Sequence, residues 1–420
     1  MVAKPYTFAM GAKLEDHTKQ KHKILREYFD RYLWVRCRLP QQSKFRVAIV
    51  DGFAGGGRYE DGSPGSPLIF LEALANATTA FNIQRAADKM AELAIECLLV
   101  LNDDDAEVVE FLKSQVAPVL AGIRETVPKL HVQILFLNKP FEKVYPEIKA
   151  LLEQGSYPNV LFNLDQCGHS QVHSSTLTDI MRSFRSPEIF YTFMIESLIA
   201  FLRKGDPKRY RKQLSHLNLT PESLEALGTQ MSNHAWLGSA EKVVFDSFHD
   251  CAAFVSPFSI NNPKGWRYWL IHFANNYRAR QEYNNVLHRN STMQAHFGRS
   301  GLRMLSYTAS DPSSGLYLFE EADRERARDQ LHDDIPRLVN EYGDAIQMAD
   351  FYRGIYNMTP AHMDDIHTSV IENSDLEVVT EGGGSRRAPN TIAANDVLRL
   401  KPQRSFFPMF LESASGKKER

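Results

Sequence analysis

Five continuous apolar runs constrain what this chain can fold into: FRVAIVDGF at 45–53, ECLLVLND at 96–103, HVQILFLN at 131–138, NVLFNLD at 159–165 and EIFYTFMIE at 188–196. Between them lie segments with apolar residues at helical spacing, PLIFLEALAN, DDAEVVEFLKSQVAPVLAGI, FEKVYPEIKALLEQG and HSSTLTDIMRSF. Strands that are apolar throughout need cover on both faces. The alternation therefore predicts a parallel sheet between two helical layers, with sites at the carboxyl ends of its strands. Two later runs, AAFVSPFSIN and WRYWLIHFANN, have only NPKG between them and predict a hairpin that finishes the sheet in antiparallel fashion. Ahead of the first strand, residues 19–38 place Ile24, Leu25, Tyr28, Phe29, Tyr32 and Leu33 on one face of an amphipathic helix that docks on another element.

At 420 residues the chain exceeds what one core usually organises, which predicts two domains. The first spans 1–305 with a polar, helix-prone insertion at about 203–250, and SYTASDPSSG at 306–315 is the linker. Residues 316–420 then read helix, helix, helix, hairpin, which is the winged-helix order. No apolar run reaches the length of a membrane span, and the N-terminus lacks the layout of a signal peptide, so a cytoplasmic protein without a membrane partner is expected. A formal net charge of -2 excludes a polycation that coats nucleic acid, although RKGDPKRYRK at 203–212 is a local basic run. The four cysteines, Cys37, Cys97, Cys167 and Cys251, are scattered and indicate neither a metal site nor a disulfide framework.

After the first strand come GFAGGGRYEDGSPGSPL and a helix for which Ser66 is the expected N-cap and Pro67 the first residue. A phosphate-binding P-loop requires Gly-Lys-Ser/Thr, and Arg58 and Tyr59 follow the glycines here. A dinucleotide turn requires a third glycine where Glu60 stands. What remains is the loop of Rossmann-like methyltransferases, in which an acidic strand end and Gly-x-Gly admit S-adenosylmethionine, a ligand with cationic centres that suit carboxylates. Asp51, Gly55 and Gly57 have that spacing; a tight turn without a ligand uses glycines as well. The second strand ends in Asn102, Asp103, Asp104 and Asp105, suited to ribose hydroxyls, and the third offers Asn138 and Phe141 to an adenine.

The fourth strand ends at the expected reaction centre. Asp165 there is an acceptor for a target amine or hydroxyl or for the cofactor ammonium, or else a cap of the next helix. His169 is a base or a loop histidine, and Cys167 a nucleophile or a structural thiol.

KHKIL at 21–25 and IVDGFAGGGRYEDGSPGSPLI at 49–69 resemble the three-Cys-motif partner proteins (TcmP), a bacterial family encoded beside a protein bearing three cysteines. The resemblance runs through most of the chain, and the same motifs are similar to those of bacterial enzymes that methylate N6 of an adenine in large-subunit ribosomal RNA. It implies a methyltransferase sheet of seven strands, the last two antiparallel. It also implies an S-adenosylmethionine site at Asp51, Phe53, Ala54, Gly55 and Gly57, with Lys21 and His22 at the cofactor entrance, and a three-Cys-motif protein as partner. Adenine-N6 enzymes follow the fourth-strand Asn or Asp with Pro-Pro and an aromatic; here Asp165 is followed by Gln166, Cys167, Gly168 and His169, without those prolines or that ring.

Lys21 and His22 either neutralise a substrate phosphate or the methionine carboxylate, or form a solvated helix end. In EGGGSRRAPN, Arg386 and Arg387 sit on a wing tip suited to phosphates, while Asp364 and Asp365 argue against groove reading by the preceding helix, so protein contact or a minor nucleic-acid contact by the wing alone is expected. Two functions fit: a methyltransferase-like enzyme acting on RNA, DNA or a modified nucleotide, or a non-methylating recognition partner of the three-Cys-motif protein.

Overall fold

The computed structural model describes residues 12–204, 214, 216–217, 219, 233–260, 268–290, 296–298, 301–302, 305, 315–317 and 321–402. Residues 205–212 of the basic run, NPKG and residues 306–314 of the expected linker lie outside the described residues.

Helix α1 (Asp16–Cys37) precedes β1 (Lys44–Asp51), and the chain then alternates through α2 (Ser66–Ala87), β2 (Ala94–Asn102), α3 (Ala106–Thr126), β3 (Leu130–Leu137), α4 (Phe141–Gly155), β4 (Val160–Leu164), α5 (Ser174–Ser183) and β5 (Pro187–Phe193). Helices α6 (Ile195–Lys204) and α7 (Asn233–His249) lead to β6 (Phe254–Ile260), β7 (Tyr268–Ala274) and α8 (Tyr277–Arg289). The seven strands lie in the order β3-β2-β1-β4-β5-β7-β6, and β1 to β5 are parallel, a Rossmann-like α/β arrangement. The expected hairpin is present, and its two strands are antiparallel to each other. Only β7 is reversed: it inserts between β5 and β6, and β6, antiparallel to β7, is realigned with the first five.

Strand pleat explains the two cores. Along β1, Val47 and Ile49 join Ile24 and Phe29 of α1, Leu68 of α2, Leu112 of α3 and Val286 of α8. Ala48 and Val50 face the opposite way, into the layer of Val144, Ile180, Leu198 and Val244 from α4 to α7. Successive side chains alternate between faces, so central strands must be apolar throughout. On α1, Tyr28, Phe29, Tyr32 and Leu33 are all buried, as the periodicity predicts.

Arg36, in the last turn of α1, donates to Glu188 Oε1 on β5 at 2.9 Å and to Asn159 Oδ1 at 2.6 Å. Glu188 Oε2 accepts from Tyr28 at 2.5 Å and lies 3.3 Å from His272 Nε2. This buried network fastens the helix at the amino end of β5.

After β8 (His296–Gly298) and β9 (Gly315–Tyr317), helices α9 (Glu321–Glu341), α10 (Met348–Ile355) and α11 (Met363–Glu372) pack with β10 (Ala345–Gln347), β11 (Leu376–Val379) and β12 (Val397–Leu400). These enclose a third core around Ile335, Phe351, Ile355, Ile366 and Leu398. The three strands lie in the order β10-β12-β11. The expected order helix, helix, helix, hairpin has no strand at Ala345–Gln347. Gly343 and Asp344 instead take left-handed backbone conformations that turn the next three residues onto β12. No helix among the described residues is long and apolar enough to cross a membrane.

Candidate functional site

The loops after β1, β2 and β4 meet at the carboxyl edge of the sheet, where the strand order reverses between β1 and β4. Such a switch point is where open α/β sheets form their crevices. The pleat that sends Ile49, Leu161, Phe190 and Leu270 toward α1 also sends Asp51, Asn163 and Thr192 that way, and Asp51 pairs in register with Asn163 and Thr192 with Leu270. A cleft results, lined by Lys21, His22, Ser66, Asn163, Asp165 and Thr192. Leu25 and Leu270 complete its wall.

Asp51 is fully buried. Its Oδ1 accepts from Asn163 Nδ2 at 3.1 Å, while Oδ2 is buried with no hydrogen bond. Burial pushes its carboxyl up to about 7, against the smaller lowering effects of Ser66, Asn163 and the Phe53 N–H. The Ser66 side chain thus acts on Asp51, and the N-cap position of α2 falls one residue earlier, at Gly65, rather than at Ser66 as expected.

The glycine loop is tied to β2 at several points. Ala54 N donates to Asn102 O at 2.9 Å and Gly55 N to Asp103 Oδ2 at 3.1 Å. Gly55 has φ +59°, and a side chain there would point into open space. Gly57 has φ +77°, and a Cβ on it would lie 2.7 Å from Leu112 Cδ1. Its carbonyl accepts from Gly65 N at 2.8 Å, closing the loop onto the start of α2. Gly57→Ala is expected to lower the unfolding free energy by about 1–2 kcal/mol from the left-handed backbone alone. An unchanged urea midpoint would show that the loop has another conformation open to it.

Asn102 was expected to face ribose hydroxyls. It is instead buried, with Nδ2 donating to Gly52 O and Lys139 O at 3.0 and 2.9 Å and Oδ1 accepting from Lys139 N at 3.3 Å. Its full set of internal bonds makes it a brace between two loops. Asp103 and exposed Asn138 sit at the rim, where Asn138 Nδ2 donates to Asp103 O at 3.0 Å. Burial raises the Asp103 carboxyl, offset in part by the N–H groups of Asp105 and Gly55. Phe141, expected against an adenine, is a core residue, and half-buried Phe53 packs on it at 5.8 Å between ring centroids.

Lys21 Nζ donates to both oxygens of Asp165, at 2.5 and 2.8 Å. Burial raises the Asp165 carboxyl, but the Lys21 charge and the hydrogen bonds from Lys21 and Thr192 outweigh it and hold the group below the usual range. The cap reading of Asp165 does not hold. Glu142 of α4 serves the start of α5, accepting from His173 N at 2.7 Å and Thr176 Oγ1 at 2.8 Å. Nor is Lys21 a solvated helix end, since it is buried. Burial also drops His22 to about 4, so it is uncharged at neutral pH and cannot neutralise a phosphate.

His169 joins another partner: its Nδ1 lies 3.2 Å from His216 Nε2, with the two rings stacked. Burial lowers its basicity. Cys167 is exposed, but partial burial followed by the Asp165 charge raises its thiol, which disfavours a thiolate nucleophile. The other three cysteines are buried and free. Arg386, expected to meet phosphate, is engaged by Asp396 through both oxygens at 2.9 and 3.1 Å, whereas Arg387 is exposed.

Ser66, Asn163 and Thr192 were missed by sequence reading. Two of them left a trace, as lone polar residues inside NVLFNLD and EIFYTFMIE. Among the described residues no group of three or more His, Cys, Asp or Glu side chains is placed to hold a metal ion. No family model matches the chain, and no curated protein matches its sequence.

Proposed function

We propose that the chain is an S-adenosylmethionine-dependent, methyltransferase-like protein of the three-Cys-motif partner type, acting on nucleic acid or a modified nucleotide. The observation that carries this is the charge of the crevice. The Asp165 charge disfavours ionisation of the nearby Asp51, and Asp103 edges the same loop. A pyrophosphate would be repelled there, whereas an ammonium or sulfonium is attracted. The unpaired Asp51 Oδ2 and the open space before Gly55 fit such a ligand. Asp51, Phe53, Ala54, Gly55, Gly57 and Asp103 would hold S-adenosylmethionine, whose sulfonium methyl is the group it supplies. Asn102 braces the loop, and Asp165 orients the acceptor by accepting its amine or hydroxyl proton in a hydrogen bond.

Calorimetry of the full chain with S-adenosylmethionine and with its demethylated product tests the reading. Both are expected to bind, and Asp103→Ala to weaken binding at least about 10-fold, the equivalent of 1.4 kcal/mol. Absence of binding by the wild-type chain would remove the basis of the proposal.

A second reading is favoured by the Lys21–Asp165 pair, which already occupies both carboxylate oxygens. In it the chain binds the cofactor but recognises substrate for a three-Cys-motif protein. Radiolabelled methyl transfer with and without that neighbour separates the two. In both readings the C-terminal unit is winged-helix-like, with Arg387 as the wing's phosphate contact and Arg386 as its internal tie.

A further inference from the structure

Tyr268 opens the reversed strand β7. Because Trp269 pairs with Phe193, the last residue of β5, Tyr268 projects just past the carboxyl edge of the sheet. It shares a face with Leu270, a wall of the cleft. His17 lies against it with ring centroids 4.6 Å apart and planes within 10°, the parallel arrangement in which one flat ring stacks on another. Lys21 Nζ, already bound to Asp165, is 5.9 Å from the Tyr268 centroid.

His17 is an awkward occupant of this place. Its Nδ1 is buried without a hydrogen bond, although Glu15 Oε2 is 3.2 Å away. Burial, then the Lys21 charge, lowers the basicity of the imidazole, against the smaller raising effect of Glu15. An unpaired buried polar atom costs stability, whereas an alanine at position 17 would avoid that cost. His17 and Lys21 are one helical turn apart on α1, so both approach Tyr268 from the same side.

We propose that Tyr268 is the stacking platform for a planar heteroaromatic acceptor, a nucleobase, and that His17 fills the acceptor's place until it arrives. The proposal rests on the methyltransferase reading of the same site. A nucleobase has a face for Tyr268 and an exocyclic amine for Asp165. Stacking on an aromatic is tolerant of base identity, and selection would fall to the hydrogen bond with Asp165.

The test uses the full chain saturated with S-adenosylhomocysteine, so that the cofactor half is filled, and titrates adenosine, cytidine, guanosine and uridine by calorimetry. Tyr268→Ala is expected to weaken the best nucleoside by about 10-fold or more, and Tyr268→Phe to stay within about threefold of wild type. His17→Ala is expected to tighten it by about threefold, an opposite sign that loss of a merely structural contact would not produce. Thermal unfolding of each variant checks that the fold is kept. Equal affinities in wild type and folded Tyr268→Ala, or no nucleoside bound while S-adenosylhomocysteine is, would overturn the proposal. Nucleoside binding that depends on Tyr268 without any S-adenosylhomocysteine binding would uphold it and instead sink the cofactor assignment.

Discussion

At pH 8 the Asp51→Asn protein is expected to be more stable than wild type and much poorer at binding a cationic ligand. Asp51 is fully buried, and its carboxyl is raised from 3.8 to about 7. Between those values the folded chain keeps a proton that the unfolded chain has released, so wild-type stability falls as pH rises through the window. The slope is about 1.4 kcal/mol per pH unit, or roughly 4 kcal/mol in all, complete once the folded carboxyl ionises above about pH 7. Asparagine has nearly the same shape and no charge, which removes this dependence. Unfolding free energies of both proteins from pH 4 to pH 9 give the result by difference, since other titrating groups are common to them. A difference that does not grow with pH would mean that Asp51 is ionised at little cost. Affinity for S-adenosylmethionine is expected to move the other way, rising with pH through about 7 in wild type and losing that rise in the variant.

Arg36→Met is expected to lose about 3–5 kcal/mol, because it strands a carboxylate rather than merely removing a surface pair. Glu188 is 2% exposed, and burial alone would raise its carboxyl. The hydrogen bond from His272 and the Arg36 charge are the main effects that keep it low. Without the guanidinium, Glu188 retains Tyr28 and a histidine whose own basicity is lowered by burial. Burial would then raise its carboxyl with less to oppose it, so the loss should be larger at pH 8 than at pH 5. Arg36→Met with Glu188→Gln is expected to recover most of the stability. If the double variant is no better than the single one, the Arg36 contribution lies in its packing over Tyr32, at 4.8 Å from the ring centroid, rather than in charge.

The sheet was legible because apolar strands need only composition and length to declare themselves. The order of β6 and β7 was not, since a hairpin fixes how two strands pair with each other but leaves open which one meets β5. The glycine loop could be read by exclusion: Arg58 and Glu60 rule out two phosphate chemistries without any structure. The uses of Asn102, Phe141 and Arg386 could not be read, because their partners, Lys139, Gly52 and Asp396, are set by how loops fold back. His17 and Tyr268 stand 251 residues apart, and only the reversal of β7 brings their rings together.

That reversal gives the rim a mixed parentage. Four of its contributors are places where strands finish, and one, Tyr268, is where a strand begins. Residues that precede a strand can change in number and kind without disturbing the turns that follow β1 and β2. A lineage could therefore exchange the acceptor it accommodates by rewriting the approach to Tyr268 while inheriting the glycine loop intact. Divergence among such proteins is expected to concentrate before β7 and to spare the loop after β1.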